Sequence, residues 1–140
     1  MKHHPLRSFL LPLFVSISLV SCKKDTSVSP TGLIGTWKLT NRECYCLPMS
    51  RPDESVTFTG KNFSFCKDGR IISEGTYTKT TGPVECGSTT QVPILRLAGT
   101  SGVIHQVVAT IDGRTLVLDY RAEGGGCISD TSIDTYERLP

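Results

Sequence analysis

Apolar and polar residues alternate in short runs along most of this chain, and turn residues punctuate the runs. Eight segments read as β-strands: 35–42, 55–59, 62–67, 70–79, 92–98, 103–111, 115–121 and 132–139. They are rich in β-branched and aromatic residues at a period of two, and none repeats apolar residues at the spacing of about 3.6 that an amphipathic helix needs. Thr59-Gly60-Lys61-Asn62, Lys67-Asp68-Gly69-Arg70 and Ile111-Asp112-Gly113-Arg114 are tight hairpin signals, because glycine accepts the positive φ of such turns. Longer links, each marked by Pro or Gly, are expected at 43–54, 80–91 and 122–131.

Strands joined by tight turns lie antiparallel and side by side. Eight in a row, with no helix to cover a flat sheet, favour closure, because a closed barrel leaves no edge exposed to aggregation. The expected fold is all-β: a small eight-stranded antiparallel up-and-down barrel over residues 33–140. Alternation turns Trp37, Leu39, Val56, Phe58, Phe63 and Phe65 towards one face, the expected core. Leu116, Leu118, Ile133 and Leu139 are secondary core candidates on strands that alternate less cleanly.

The N-terminus follows a different rule. Lys2 and Arg7 precede an apolar run from Phe9 to Val20, which is interrupted by Pro12 and ends in Ser21, Cys22, Lys23 and Lys24. That order is a signal peptide, and the run falls short of the roughly 20 apolar residues of a spanning helix. Leu19-Val20-Ser21-Cys22 resembles the bacterial lipobox, which implies cleavage after residue 21 and acylation of Cys22. Acyl chains at about 0.8 kcal/mol per buried CH₂ then hold the protein to the bilayer. Residues 22–32, with the Ser, Thr and Pro of 26–31, read as a lipidated flexible tether. The resemblance implies a cell-envelope protein anchored to the outer membrane, on its periplasmic or its surface face. Lys23-Lys24-Asp25 is partly similar to a surface-export signal of some lipoproteins.

Charge excludes one class of partner. The formal net charge of +2 rests on Lys2 and Arg7, so the mature chain is neutral and nucleic acid is not expected to bind it. A monomer is expected. Export also places Cys44, Cys46, Cys66, Cys86 and Cys127 where disulfides form. In an up-and-down barrel the links after the first, third, fifth and seventh strands share one mouth. Cys44, Cys46, Cys66 and Cys127 therefore gather at that mouth, and Cys86 is expected to be the odd thiol at the other end. Either Cys44 or Cys46 pairs with Cys127 while Cys66 takes the other, or Cys66 pairs with Cys86 after the 80–91 link folds back along the wall.

Candidate chemistry is sparse. His105 is the single histidine after the leader, and it stands within a strand with no cysteine or carboxylate at motif distance. Cys44-Tyr45-Cys46 lacks zinc-site spacing, so neither metal nor cofactor is expected. Asp53-Glu54, Asp130 and Asp134 read as turn and surface acids, and Gly124-Gly125-Gly126 precedes no helix that could receive a phosphate. Nucleophile-elbow, zincin and P-loop motifs are lacking, so no enzyme is expected.

Gly35-Thr36-Trp37 at the head of the first strand and Arg138 near the end of the last resemble the lipocalin-like, or calycin, proteins, particularly small bacterial lipocalin-like lipoproteins. The resemblance spans about Leu33 to Leu139; a C-terminal helix and a Thr-Asp-Tyr motif are lacking. It implies that Arg138 packs across the Trp37 ring at the closed end of the barrel. It also implies a non-enzymatic binder of a small hydrophobic or amphipathic ligand at the mouth, with His105 and Tyr45 as rim candidates. The alternative is a solid barrel whose loops bind a protein or glycan at the envelope, as an adhesin, inhibitor or accessory subunit. Strands of about six residues leave an interior that aromatic side chains can fill.

Overall fold

The three glycine turns set the register of the chain. Gly60, Gly69 and Gly113 take φ of 39°, 75° and 54°, and Asp68 joins them at 49°, the left-handed region that a tight hairpin requires. The computed structural model describes residues 32–44, 53–84, 86–126 and 131–140. Its strands are β1 (Gly35–Glu43), β2 (Glu54–Thr59), β3 (Asn62–Lys67), β4 (Arg70–Gly82), β5 (Val92–Gly99), β6 (Ile104–Asp112), β7 (Thr115–Asp119) and β8 (Ile133–Arg138). Each pairs antiparallel with the next, and β8 returns to β1 to close an up-and-down barrel. Residues 1–31, with the expected leader, Cys22 and tether, and Tyr45, Cys46 and Cys127 lie outside the described residues.

β4 is the longest strand because it serves two partners in succession. Residues 70–76 pair with β3 and 75–82 with β5, so the sheet shears as it curls. Gly75 sits where the two pairings overlap, and a Cβ there would lie 2.0 Å from the Ala98 carbonyl oxygen. Only glycine allows so close an approach of two backbones.

Trp37, Val56, Phe58, Leu97, Val107, Leu116 and Leu118 are fully buried, and Phe63 nearly so. Each such side chain contributes about 1.5–3 kcal/mol through the water it leaves. Leu39 and Phe65 pack against this core while partly exposed. Phe58 meets Tyr77 edge to face at 5.4 Å, and Phe63 meets Phe65 at 5.7 Å.

β8 departs from expectation. Asp134, Tyr136 and Arg138 are its buried residues, so Ile133 and Leu139 alternate to the other side. Two charged residues occupy inward positions there, and a hydrophobic pattern does not register them. β7 also ends at Asp119, and residues 120–126 form a 3₁₀ helix in place of further strand and open link. The cause is local: the Asp119 carboxylate accepts the Arg121 N–H at 2.9 Å and grips its guanidinium at 2.6 Å, bending the chain out of the sheet. Burial pushes the Asp119 carboxyl up, but the Arg121 bonds outweigh it and hold the group below its ordinary value.

Cys44, Cys66 and Cys86 are each disulfide-bonded, and no described cysteine is a free thiol. Cys86 is therefore not the odd thiol. Residues 83–91 are a link of about 30 Å at full stretch, long enough to carry that sulfur well away from the strand ends it joins.

At the base of the barrel, the Arg138 guanidinium lies 4.1 Å over the centroid of the Trp37 ring. The indole N–H donates to the Leu33 carbonyl at 2.9 Å, and Arg138 donates to the carbonyls of Ile34, at 3.0 Å, and Gly32. Trp37→Ala is expected to lower the unfolding free energy by about 3–5 kcal/mol. Denaturant titration tests this, and a loss below about 1 kcal/mol would remove the indole from the core.

Candidate functional site

Two places inside the barrel gather chemistry, one at each end. At the mouth, where β1 ends and β2 begins, a bulge decides which side chains face inward. Leu39 pairs with Tyr136 but Asn41 with Thr135 and Arg42 with Asp134, so Thr40 is the extra residue. Its hydroxyl donates to the Thr135 carbonyl at 3.0 Å. The shift reverses the alternation of β1 and turns Arg42 into the interior.

Arg42 grips Asp134 with two bonds, Nε to Oδ1 at 2.8 Å and Nη2 to Oδ2 at 2.7 Å. Nη2 also reaches Glu54 at 2.8 Å, and Lys67 approaches the other Glu54 oxygen at 3.3 Å. The Tyr136 hydroxyl donates to Asp134 at 3.3 Å. The hydrogen bond to Asp134 leads in raising the Arg42 guanidinium above its ordinary value, against the pull of burial. Glu54 and Asp134 are both buried, and the arrangement gives each a cation. Removing one member would strand a charge in a poorly solvated place.

The 3₁₀ helix lies beside this cluster. Ala122 is fully buried, and the Tyr120 N–H bonds to the Ser132 carbonyl at 3.0 Å. His105 faces inward on β6, where its Nδ1 lies 2.5 Å from the Glu123 carboxylate and its ring meets Tyr120 at 6.0 Å, edge to face. The rim candidate of the sequence is thus engaged with the 3₁₀ helix, while Tyr45 lies outside the described residues. Among the described residues no group of three His, Cys, Asp or Glu side chains could hold a metal ion.

At the base, β4, β5 and β6 present Lys79, Leu95, Ala109 and Ile111 to the inside, as their pairings with inward neighbours require. With Leu33 they line a recess of about 290 Å³. It is apolar apart from Lys79, and its outer wall is the Gly32–Leu33 segment that Trp37 and Arg138 hold. A second recess, of about 360 Å³, lies across β2 to β4 and is lined mainly by Thr, Ser, Asn and Glu side chains. Comparison with family models, with curated proteins and with solved structures returns no match.

Sequence reasoning missed both places. Arg42 gave no signal because the bulge that admits it has no strong sequence mark. Lys79 stood at the edge of a strand that continues to Gly82.

Asp134→Asn is expected to lower stability by about 3 kcal/mol, at the low end for a buried ion pair because Arg42 keeps about a third of its side chain exposed. A double-mutant cycle with Arg42→Met should return a coupling of about 2 kcal/mol. A coupling under about 0.5 kcal/mol would make the pair a solvated surface contact.

Burial, with the charge of Asp134 adding to it, raises both the Tyr120 and the Tyr136 phenols above the ordinary 10.0. Folded values above the unfolded one mean that these phenols support the fold fully below pH 10.0 and cease to do so as pH rises beyond it. An ultraviolet titration of the native protein should leave two phenols un-ionised at pH 10.0, released together on alkaline unfolding. Tyr136→Phe should remove one of them; ionisation of both at their ordinary value would contradict the assignment.

Proposed function

We propose that this chain is a lipocalin-like lipoprotein of the cell envelope, held to the outer membrane by acylated Cys22, and that its barrel is a non-enzymatic binder of a small hydrophobic or amphipathic ligand. The observation that carries the reading is the apolar recess at the base, bounded by Leu33, Leu95, Ala109 and Ile111. At about 290 Å³ it lies just under the range of small-molecule sites, which run from roughly 300 Å³ upwards. Trp37 under Arg138, the pair on which the lipocalin-like resemblance rests, supports the family reading. His105, joined to Glu123 and Tyr120, serves this reading as a strut of the mouth rather than as a proton carrier.

A second reading, a solid barrel that acts through its loops, draws support from the mouth. Arg42, Glu54, Asp134 and Lys67 occupy the interior there, where an apolar ligand would have to displace paired charges. The readings separate in native mass spectrometry of the mature protein. A bound hydrophobic adduct on the wild type, lost in Ala109→Phe, which fills the recess, is the expected result. Wild-type protein that carries no adduct after exposure to lipid extract would favour the loops.

A further inference from the structure

We infer that the outer wall of the barrel over β2, β3 and β4 carries a second site, which takes a neutral, ribbon-like oligosaccharide laid across the strands. This site lies on the opposite side of the sheet from the interior and goes beyond the binding reading above.

The wall is built by strand pairing. Thr36, Thr57, Ser64 and Glu74 stand opposite one another on β1 to β4, and Thr59, Asn62 and Thr76 form the next row towards the base. Paired residues share a face, and the intervening Val56, Phe58 and Phe63 are buried, so both rows face outward. From β2 to β4 these rows line a groove of about 360 Å³, within the range of roughly 300–1,000 Å³ for small-molecule sites. Thr100 closes one end, because its N–H donates to the Glu74 carbonyl at 2.8 Å and draws the β5–β6 turn to the edge.

The ligand class follows from the chemistry of the lining. Thr57 shares a hydroxyl bond with Thr36 at 3.1 Å. The hydroxyls of Thr59, Ser64, Thr76 and Thr100, the Asn62 amide and the Glu74 carboxylate make no side-chain bond to any described residue. Hydroxyls and amides both donate and accept, so the group that matches them must do the same, as a sugar hydroxyl does. Glu74 is the one charge of the lining. Its carboxylate accepts from sugar hydroxyls in charge-assisted bonds and repels an acidic sugar. Beyond Thr76 the second row runs through Ala98 to Ile104, which is 44% exposed and offers an apolar end to the C–H face of a ring. A peptide finds no comparable hold, because strand addition needs a free edge and the closed barrel has none. Neighbouring strands lie about 4.8 Å apart, close to the length of one pyranose unit, so a flat ribbon sets one ring over each of β2, β3 and β4.

The test is a titration of the isotopically labelled mature protein, held in phosphatidylcholine nanodiscs, with cellotetraose, maltotetraose or tetragalacturonate, read through its backbone amide resonances. Cellotetraose should shift the amides of Ser64, Glu74 and Thr76 saturably and leave those of Leu95 and Ala109, beside the recess, unmoved. Glu74→Gln should weaken binding about tenfold, the loss of one charge-assisted hydrogen bond. Thr76→Val, which keeps the branched shape and loses the hydroxyl, should weaken it about fivefold. Ala109→Phe, which fills the recess, should leave the titration unchanged, so that the wall site and the recess fail separately. No saturable shift, or shifts confined to the recess, would overturn the wall site. An equal response to the coiled maltotetraose or to the acidic tetragalacturonate would overturn the ligand class, and unchanged affinity in Glu74→Gln or Thr76→Val would overturn the assigned contacts.

Discussion

An eight-stranded sheet has two raw edges until its first and last strands meet, and in this chain nearly a hundred residues separate them. Their pairing closes a long loop, so ordering it carries a large entropic cost that local hairpins avoid. The inward side of that seam is correspondingly well furnished. From base to mouth, Trp37 faces Arg138, Leu39 faces Tyr136 and Arg42 faces Asp134. Backbone bonds fasten the outer margin, with Leu139 donating to Thr36 at 2.9 Å and Arg138 to Arg114 at 2.8 Å. A cation over an indole contributes about 0.5–2 kcal/mol, and its geometry admits few alternative registers. The seam thus decides both that the barrel closes and where each strand stands when it does.

The two ends of the interior differ because the seam differs at its two ends. Near the mouth, the bulge at Thr40 rotates Arg42 inward, which obliges the neighbouring strands to supply carboxylates; Asp134 and Glu54 do so, and Lys67 balances the second. Near the base, the Arg138 guanidinium is taken up by the Trp37 ring and by the Ile34 and Gly32 carbonyls, and the recess under β4 to β6 is apolar apart from Lys79. A barrel that is polar at the mouth and apolar at the base reverses the arrangement expected from the resemblance alone, where the mouth holds the ligand.

Much of the architecture was legible in the alternation. Trp37, Val56, Phe58 and Phe63 were placed correctly because the alternation is clean around each of them and because β2 and β3 are joined by a tight turn at Gly60, whose positive φ fixes their register. Leu95, Leu97 and Val107 were passed over as core residues because β5 and β6 carry apolar residues on both faces, so period-two counting has no contrast to use. Arg42 and Asp134 were illegible as an interior pair for a different reason: a charged residue is read as exposed until its partner is known, and each partner here comes from a distant strand, whereas Arg138 was legible over Trp37 through the resemblance. The 3₁₀ helix escaped because seven residues are too few to show a period.

The recess and the seam share a wall, which ties any ligand to the stability of the fold. The Gly32–Leu33 segment is held from one side by the Trp37 indole and by Arg138, and its other side faces the cavity. A ligand that packed against Leu33 would bury apolar surface on that segment. It would thereby steady the carbonyls to which Trp37 and Arg138 donate. A ligand that binds the folded barrel alone adds about 2.7 kcal/mol of stability at a hundred times its dissociation constant. Part of that gain would be felt at the β1–β8 pairing, because Trp37 and Arg138 belong both to that pairing and to the wall of the recess.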